Sequence, residues 1–218
     1  MITESLLTVV TPATTYDLVS LDVIKDELGI TDTTSDLRLA RWITESSQMI
    51  AAYTQRVWAL ESLSEMFRMP VKMNTSGYRH QLRLTRYPIV AVTTVVEDDI
   101  YSLTQGVDFE VDPASGLLYR LFQGGVPDGE LAWTWHRRKV VVTYSAGYAL
   151  PDGAPSLLQQ AAQMMIKGRQ ANRTTDPTLR SYVIPGVIEK TFATPSSTDG
   201  PIPAAIAALL DSLVDRQV

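Results

Sequence analysis

The hydrophobic pattern changes period twice along the chain. Between residues 18 and 59, apolar side chains recur every three to four positions. Leu21, Ile24 and Leu28 form a first stripe; Leu37, Ala40, Ile43, Ser47, Ile50, Ala51 and Val57 form a second, broadened by Leu39, Trp42, Met49 and Tyr53. That spacing gathers side chains on one helix face and predicts helices over 21–28 and 35–57. Ser20 stands where an N-cap accepts a free amide, and Gly29 where a helix ends in left-handed backbone. Thr33 and Asp36 have capping-box-like spacing ahead of the second helix. A stripe this broad calls for neighbours on more than one side.

From about residue 60 the period falls to two. Leu63, Glu65, Phe67 and Met69 alternate with Ser64, Met66 and Arg68, and Leu82 and Leu84 with Arg83 and Thr85. Residues 89–96 are rich in β-branched side chains, Glu97-Asp98-Asp99 suits a turn, and Asp112-Pro113-Ala114-Ser115-Gly116 suits a hairpin loop. Residues 139–144 close the block, so 60–145 predict a compact antiparallel β unit.

Helical spacing returns at Pro155, a good first-turn residue. Leu157, Leu158, Ala161, Ala162, Met165 and Ile166 mark its apolar face, and Lys167, Arg169 and Arg173 lie towards the end, where the helix dipole favours cations. Residues 174–200 are rich in proline, glycine and hydroxyl side chains and predict an extended arm. A last helix opens at Pro203, with Ile202, Ile206, Leu209, Leu210, Leu213 and Val214 along one side. Two N-terminal helices cannot bury their stripes alone, so the simplest solution packs them on the Pro155 helix across the β segment. The expected fold class is α+β: a discontinuous α-helical bundle (18–59 and 146–173), an inserted antiparallel β domain (60–145), and an extended C-terminal arm ending in a helix (174–218).

At 218 residues and 45% hydrophobic, the chain can hide roughly 70% of the surface it would expose unfolded. Nineteen Lys and Arg against 24 Asp and Glu leave a net charge of −5, a balance that disfavours wrapping DNA by phosphate neutralisation. Cysteine is absent, so disulfides and thiolate metal sites are too. The N-terminal residues lack the positive start and apolar run of a signal peptide, and no stretch reaches the roughly 18 apolar residues of a membrane span, which reads as a soluble chain.

Sequence patterns for chemistry are sparse. His80 and His136 are far apart, each beside arginine, and no nucleophile-elbow, zinc-protease or phosphate-loop pattern occurs. Asp108, Glu110 and Asp112 alternate and could share a strand face, as a calcium site or an acid pair requires; a solvated face leading into a turn is the plainer reading. Trp133 and Trp135, followed by His136, Arg137, Arg138 and Lys139, form the one aromatic and basic cluster. Bases could stack there, but a short segment on an acidic chain reads better as packing or subunit contact. No enzymatic activity, catalytic residue, cofactor or metal is expected.

The order of these elements resembles the head–tail connector (adaptor) proteins of long-tailed double-stranded DNA bacteriophages. There a Leu-x-x-x-Lys helix precedes a turn and a helix closing on an aromatic-Thr-x-Arg end; Leu21, Lys25, Leu28, Tyr53, Thr54 and Arg56 occupy the matching places. LRLTRYPIVAVTTV (82–95), VVVTYSAGY (140–148), the Pro155 helix and IPAAIAALLDSLVDR (202–216) agree with longer members. The resemblance implies a non-enzymatic virion component at the neck, assembled in the host cytoplasm. Its subunits would form a ring of roughly twelve copies by heterologous contacts. It would dock under the portal protein after packaging, extend the channel through which DNA passes without specific binding, and present a surface to the next connector, a stopper or the tail. A virion binding module using the β domain, for a glycan or protein, and a DNA-packaging accessory protein remain as alternatives.

Within the arm, Tyr182, Ile184, Ile188 and Phe192 are too apolar for a plain linker and have no obvious strand partner in the chain. Together with Ile206, Leu210 and Leu213 they are the expected contacts with the portal or a neighbouring subunit, by strand addition or groove filling.

Overall fold

A computed structural model describes residues 5–68, 81–121, 133, 139–173, 181–184, 188–191 and 202–214. It is a mixed α and β structure with antiparallel sheets. The chain divides into two compact units, each assembled from two separate segments: Met1–Thr14 with Ala59–Tyr148, and Thr15–Trp58 with Ala149–Val218.

The first unit contains β1 (Ser5–Thr11), β2 (Glu61–Arg68), β3 (Gln81–Arg83), β4 (Ile89–Glu97), β5 (Tyr101–Leu103), β6 (Phe109–Asp112), β7 (Leu117–Arg120) and β8 (Lys139–Ala146). Five strands form a sheet in the order β1-β2-β8-β4-β5, and three form a second sheet in the order β3-β7-β6. The period-two pattern translates directly into burial. β2 turns Glu61, Leu63, Glu65 and Phe67 inward, and its partner β8 turns in Val140, Val142, Tyr144 and Ala146. Leu82, Leu84, Ile89, Val95, Phe109, Leu118 and Trp133 complete that core.

The turns follow local chemistry. Asp98 and Asp99 take positive φ (51° and 61°), which aspartate tolerates better than most residues, and Lys139 Nζ holds the Asp99 carboxylate at 2.8 Å. In the β6–β7 hairpin Asp112 accepts from the Ala114 amide and the Ser115 hydroxyl, and Gly116 takes φ 72°. Where β8 ends, Ala59 bridges Tyr148 and the Leu60 amide donates to the Tyr148 carbonyl at 2.8 Å. Gly147 lies between them at φ 107°, and a Cβ there would sit 2.3 Å from the Ala59 carbonyl oxygen. Only glycine fits that crossing.

The second unit holds α1 (Leu21–Leu28), α2 (Asp36–Thr54), α3 (Ser156–Asn172) and α4 (Ala204–Leu210), which runs into a 3₁₀ turn over Asp211–Leu213. α2 packs against α1, α3 and α4, and α3 also against α4. Ser20 caps α1 through the Val23 amide, and Gly29 ends it at φ 65°. The second stripe needs correction. α2 buries Leu39, Ile43, Ser46, Ser47, Ile50 and Thr54, whereas Leu37 is 91% exposed and Ala40 is exposed. The helix begins at Asp36 without a side-chain cap, so Thr33 does not form the capping box. It ends at Thr54 rather than residue 57, because Gln55 turns left-handed at φ 55°. On α3, Leu157 likewise faces outward while Leu158, Ala161, Ala162, Met165 and Ile166 are buried.

The same unit carries a two-stranded hairpin, β9 (Ser181–Ile184) against β10 (Ile188–Thr191). The arm's sequence offers no obvious strand partner beyond completing the chain's own β unit; in the structure its two halves pair with each other, Ile184 opposite Ile188.

Candidate interaction surface

The seven expected contact residues fall into four groups. Tyr182, Ile184 and Ile188 stand in the β9–β10 hairpin, and Phe192 lies outside the described residues. Leu213, in the 3₁₀ turn, is half-buried. Ile206 and Leu210 face inward on α4 and are buried, as is Ile202 ahead of it. This part of the last helix's apolar stripe therefore packs within its own unit, against α2 and α3. Tyr53 joins this packing, its hydroxyl donating to Asp211 at 2.6 Å, a bond that raises the tyrosine's pKa.

The Tyr-Thr-x-Arg end of α2 has a local structural logic. Buried Thr54 donates to the Ile50 carbonyl (2.9 Å) and accepts from Trp58 Nε1 (3.0 Å), while the Arg56 guanidinium stacks 4.1 Å over the Trp58 ring. Nearby, Ser47 accepts the Leu18 amide and donates to the Ile43 carbonyl. The motif is a helix stop that ties the incoming and outgoing chain to α2.

Trp133, a candidate for an exposed binding patch, is fully buried. Its indole N–H donates to the Leu118 carbonyl (3.2 Å), and Arg120 lies over the ring. Trp135, His80 and His136 lie outside the described residues. The three alternating carboxylates separate by task. Asp108 accepts the Thr104 amide and lies 3.8 Å from Arg120, Asp112 closes its hairpin loop, and Glu110 is exposed. The Ser115 hydroxyl lowers the Asp112 pKa, as its role as a turn acceptor requires. No cluster of three potential metal ligands occurs among the described residues.

One carboxylate is fully buried. Glu65 accepts from the Thr85 amide (2.9 Å), the Thr85 hydroxyl (2.6 Å) and the Tyr144 hydroxyl (2.9 Å). Burial, and then the charge of Glu65, push the Tyr144 pKa far above the usual phenol range. With both oxygens used, this is a satisfied core network that ties β2 to β8 and to Thr85.

The most conspicuous surface is β1, whose residues were not expected to form a strand. It lies at a sheet edge with β2 on one side and no described backbone partner on the other. Its sequence, SLLTVVT, contains no charge; Leu6 is 60% and Val10 57% exposed, and Val9 is exposed as well. Across the sheet, β5 pairs with β4 only at Val95–Glu97. The outer edge of β4 over residues 90–94 thus also lacks a described backbone partner, and Val90 is exposed.

No protein-family model and no curated protein matches the sequence. Solved structures do match in fold. One chain is from the neck of an empty gene transfer agent (GTA) particle computed with C6 symmetry: TM-score 0.55, 15% identity, 98% of this chain and 97% of that one. A second is from the neck of a native GTA particle computed with C12 symmetry: TM-score 0.54, 13% identity, 98% and 97% coverage. A third is from the virion of a native GTA particle: TM-score 0.56, 13% identity, 97% and 96% coverage. Over nearly its whole length, this chain has the fold of proteins found in GTA necks and virions.

Proposed function

We propose that this protein is a structural, non-enzymatic virion component: a head–tail connector (adaptor) subunit. It forms a ring with copies of itself, docks beneath the portal protein after DNA packaging and lengthens the DNA channel. It also offers a surface to the next connector, a stopper or the tail. The observation that carries this reading is end-to-end fold correspondence with chains from GTA necks. The connector-like placement of Leu21, Lys25, Leu28, Tyr53, Thr54 and Arg56 agrees with it. A net charge of −5 suits a channel wall past which DNA slides without adhering.

Within this reading the arm over residues 174–200 reaches the portal or a neighbouring subunit through Tyr182, Ile184, Ile188 and Phe192. α4 holds its far end to the subunit through Ile206 and Leu210. An isolated two-stranded hairpin is marginal in water, so β9 and β10 gain most by adding to a partner's surface. Mixing the protein with its cognate portal and imaging the product by electron microscopy tests the reading. A symmetric ring coaxial with the portal is expected; a portal that stays bare at micromolar concentrations would refute it.

A further inference from the structure

We propose that adjacent copies join edge to edge through the five-stranded sheet, β1 of one subunit pairing with the free outer edge of β4 in the next. This rests on the ring reading above and specifies the contact that would close it.

Three observations point to this pairing. First, both edges present backbone without a strand partner among the described residues, and uncharged side chains: residues 5–11 read SLLTVVT and residues 90–94 read VAVTT. Soluble proteins ordinarily protect a sheet edge with lysine, proline, an inward charge or a bulge; these two segments hold no charge and no proline, and bulges are the protection they carry. The exposed Leu6, Val9, Val10 and Val90 supply apolar surface beside the unpaired amides and carbonyls.

Second, the strand directions match. β1 is antiparallel to β2, β2 to β8, and β8 to β4, so β1 and β4 run in opposite directions. A neighbour generated by rotation about an axis roughly along the strands keeps its own β1 direction. Its β1 therefore arrives antiparallel to β4, the more favourable pairing. Two different edges meeting head to tail make a heterologous contact, the kind that closes rings.

Third, the edges are irregular in a useful way. The β1–β2 register shifts between Val9 and Thr11, and the β4–β8 register shifts between Ile89 and Ala91 and again between Val92 and Thr94. Bulges increase local bend and twist and limit the number of ladder bonds an added strand can make. The contact is thus curved and individually weak, strong only when many copies close together, which protects free subunits from runaway edge-to-edge aggregation.

The absence of cysteine makes the test direct. In the full-length chain, Thr8→Cys is paired with Ala91→Cys in one variant and with Thr93→Cys in another, covering two registers; all three positions are exposed. Each is assembled alone and on portal rings, then oxidised and run on a denaturing non-reducing gel. The expected result is a ladder well beyond dimer in at least one double variant, and essentially monomer for each single-cysteine variant. In parallel, Leu6→Lys/Val10→Lys should keep the wild-type melting temperature and circular dichroism while weakening ring assembly at least tenfold. Rings that form without a ladder, and that tolerate both lysines, would overturn edge pairing and leave the ring reading standing. Dimers from Thr8→Cys alone would mean that two β1 edges meet about a twofold axis, which also overturns it. If the wild-type chain forms no ring alone or on portals, the functional reading itself fails and this contact with it.

Discussion

At the scale of single residues, the restrictive position is Gly147. A methyl group there meets the Ala59 carbonyl oxygen at 2.3 Å, on backbone that L-residues rarely adopt. Gly147→Ala is expected to cost about 2–5 kcal/mol, from strained φ plus steric overlap, measured as a lowered urea midpoint. Tyr144 gives a pH signature. Folding raises its pKa above the ordinary value of 10.0, so the folded chain keeps the phenol neutral after the unfolded chain has begun to ionise. The stabilisation is fully present below that value and is lost as pH rises through and beyond it. Melting temperature should therefore begin to fall near pH 10 and go on falling above it, and Tyr144→Phe should flatten that fall. The same variant should be less stable at neutral pH, since Glu65 loses a donor while remaining buried. Alternation along 61–68 told which face carried Glu65, but nothing local told that Thr85, twenty positions on, would satisfy it. Such long-range polar pairing has no periodic signature.

Among elements, those with strong period and clear punctuation were legible: α1 between Ser20 and Gly29, the β6–β7 hairpin around its Asp-Pro and Gly residues, and α3 after Pro155. The errors have physical causes. The broad apolar content of α2 permitted two adjacent stripes, and packing against α1, α3 and α4 selected the one through Leu39 and Ile43, leaving Leu37 outside. β1 escaped notice because an edge strand exposed on most positions shows no alternation; its only signal was an uncharged run of leucine, valine and threonine. The last helix was legible from its spacing, but an apolar stripe reads the same whether it docks on its own bundle or in a partner's groove; Ile206 and Leu210 are buried within the subunit. Leu210→Ala is expected to destabilise the helical unit by about 2–5 kcal/mol, seen in thermal unfolding followed at 222 nm.

For the whole molecule, the arm and its anchor make separable predictions. Substituting Tyr182→Asp together with Ile184→Asp should leave melting unchanged and reduce co-sedimentation with portal rings at least tenfold. Deleting residues 202–218 should instead lower the melting temperature of the helical unit, because Ile202, Ile206 and Leu210 leave its core. Comparing the two separates recognition from support, a distinction that truncating the entire arm would blur.

The interleaving of the two units governs the order in which the molecule is born. β1 leaves the ribosome ahead of every strand it pairs or shares a sheet with: its partner β2 begins only at Glu61, and β8, on the other side of β2, only at Lys139. At about 5–20 residues per second, an uncharged apolar strand waits several seconds for its first neighbour and longer for the sheet behind it. The helical unit, opened second, receives α4 last. The β unit has all its segments once Tyr148 is made, while the helical unit still waits for α4, so ribosomal pausing before Lys139, with β1 exposed and the sheet incomplete, should raise the nascent chain's need for chaperones more than pausing after Tyr148.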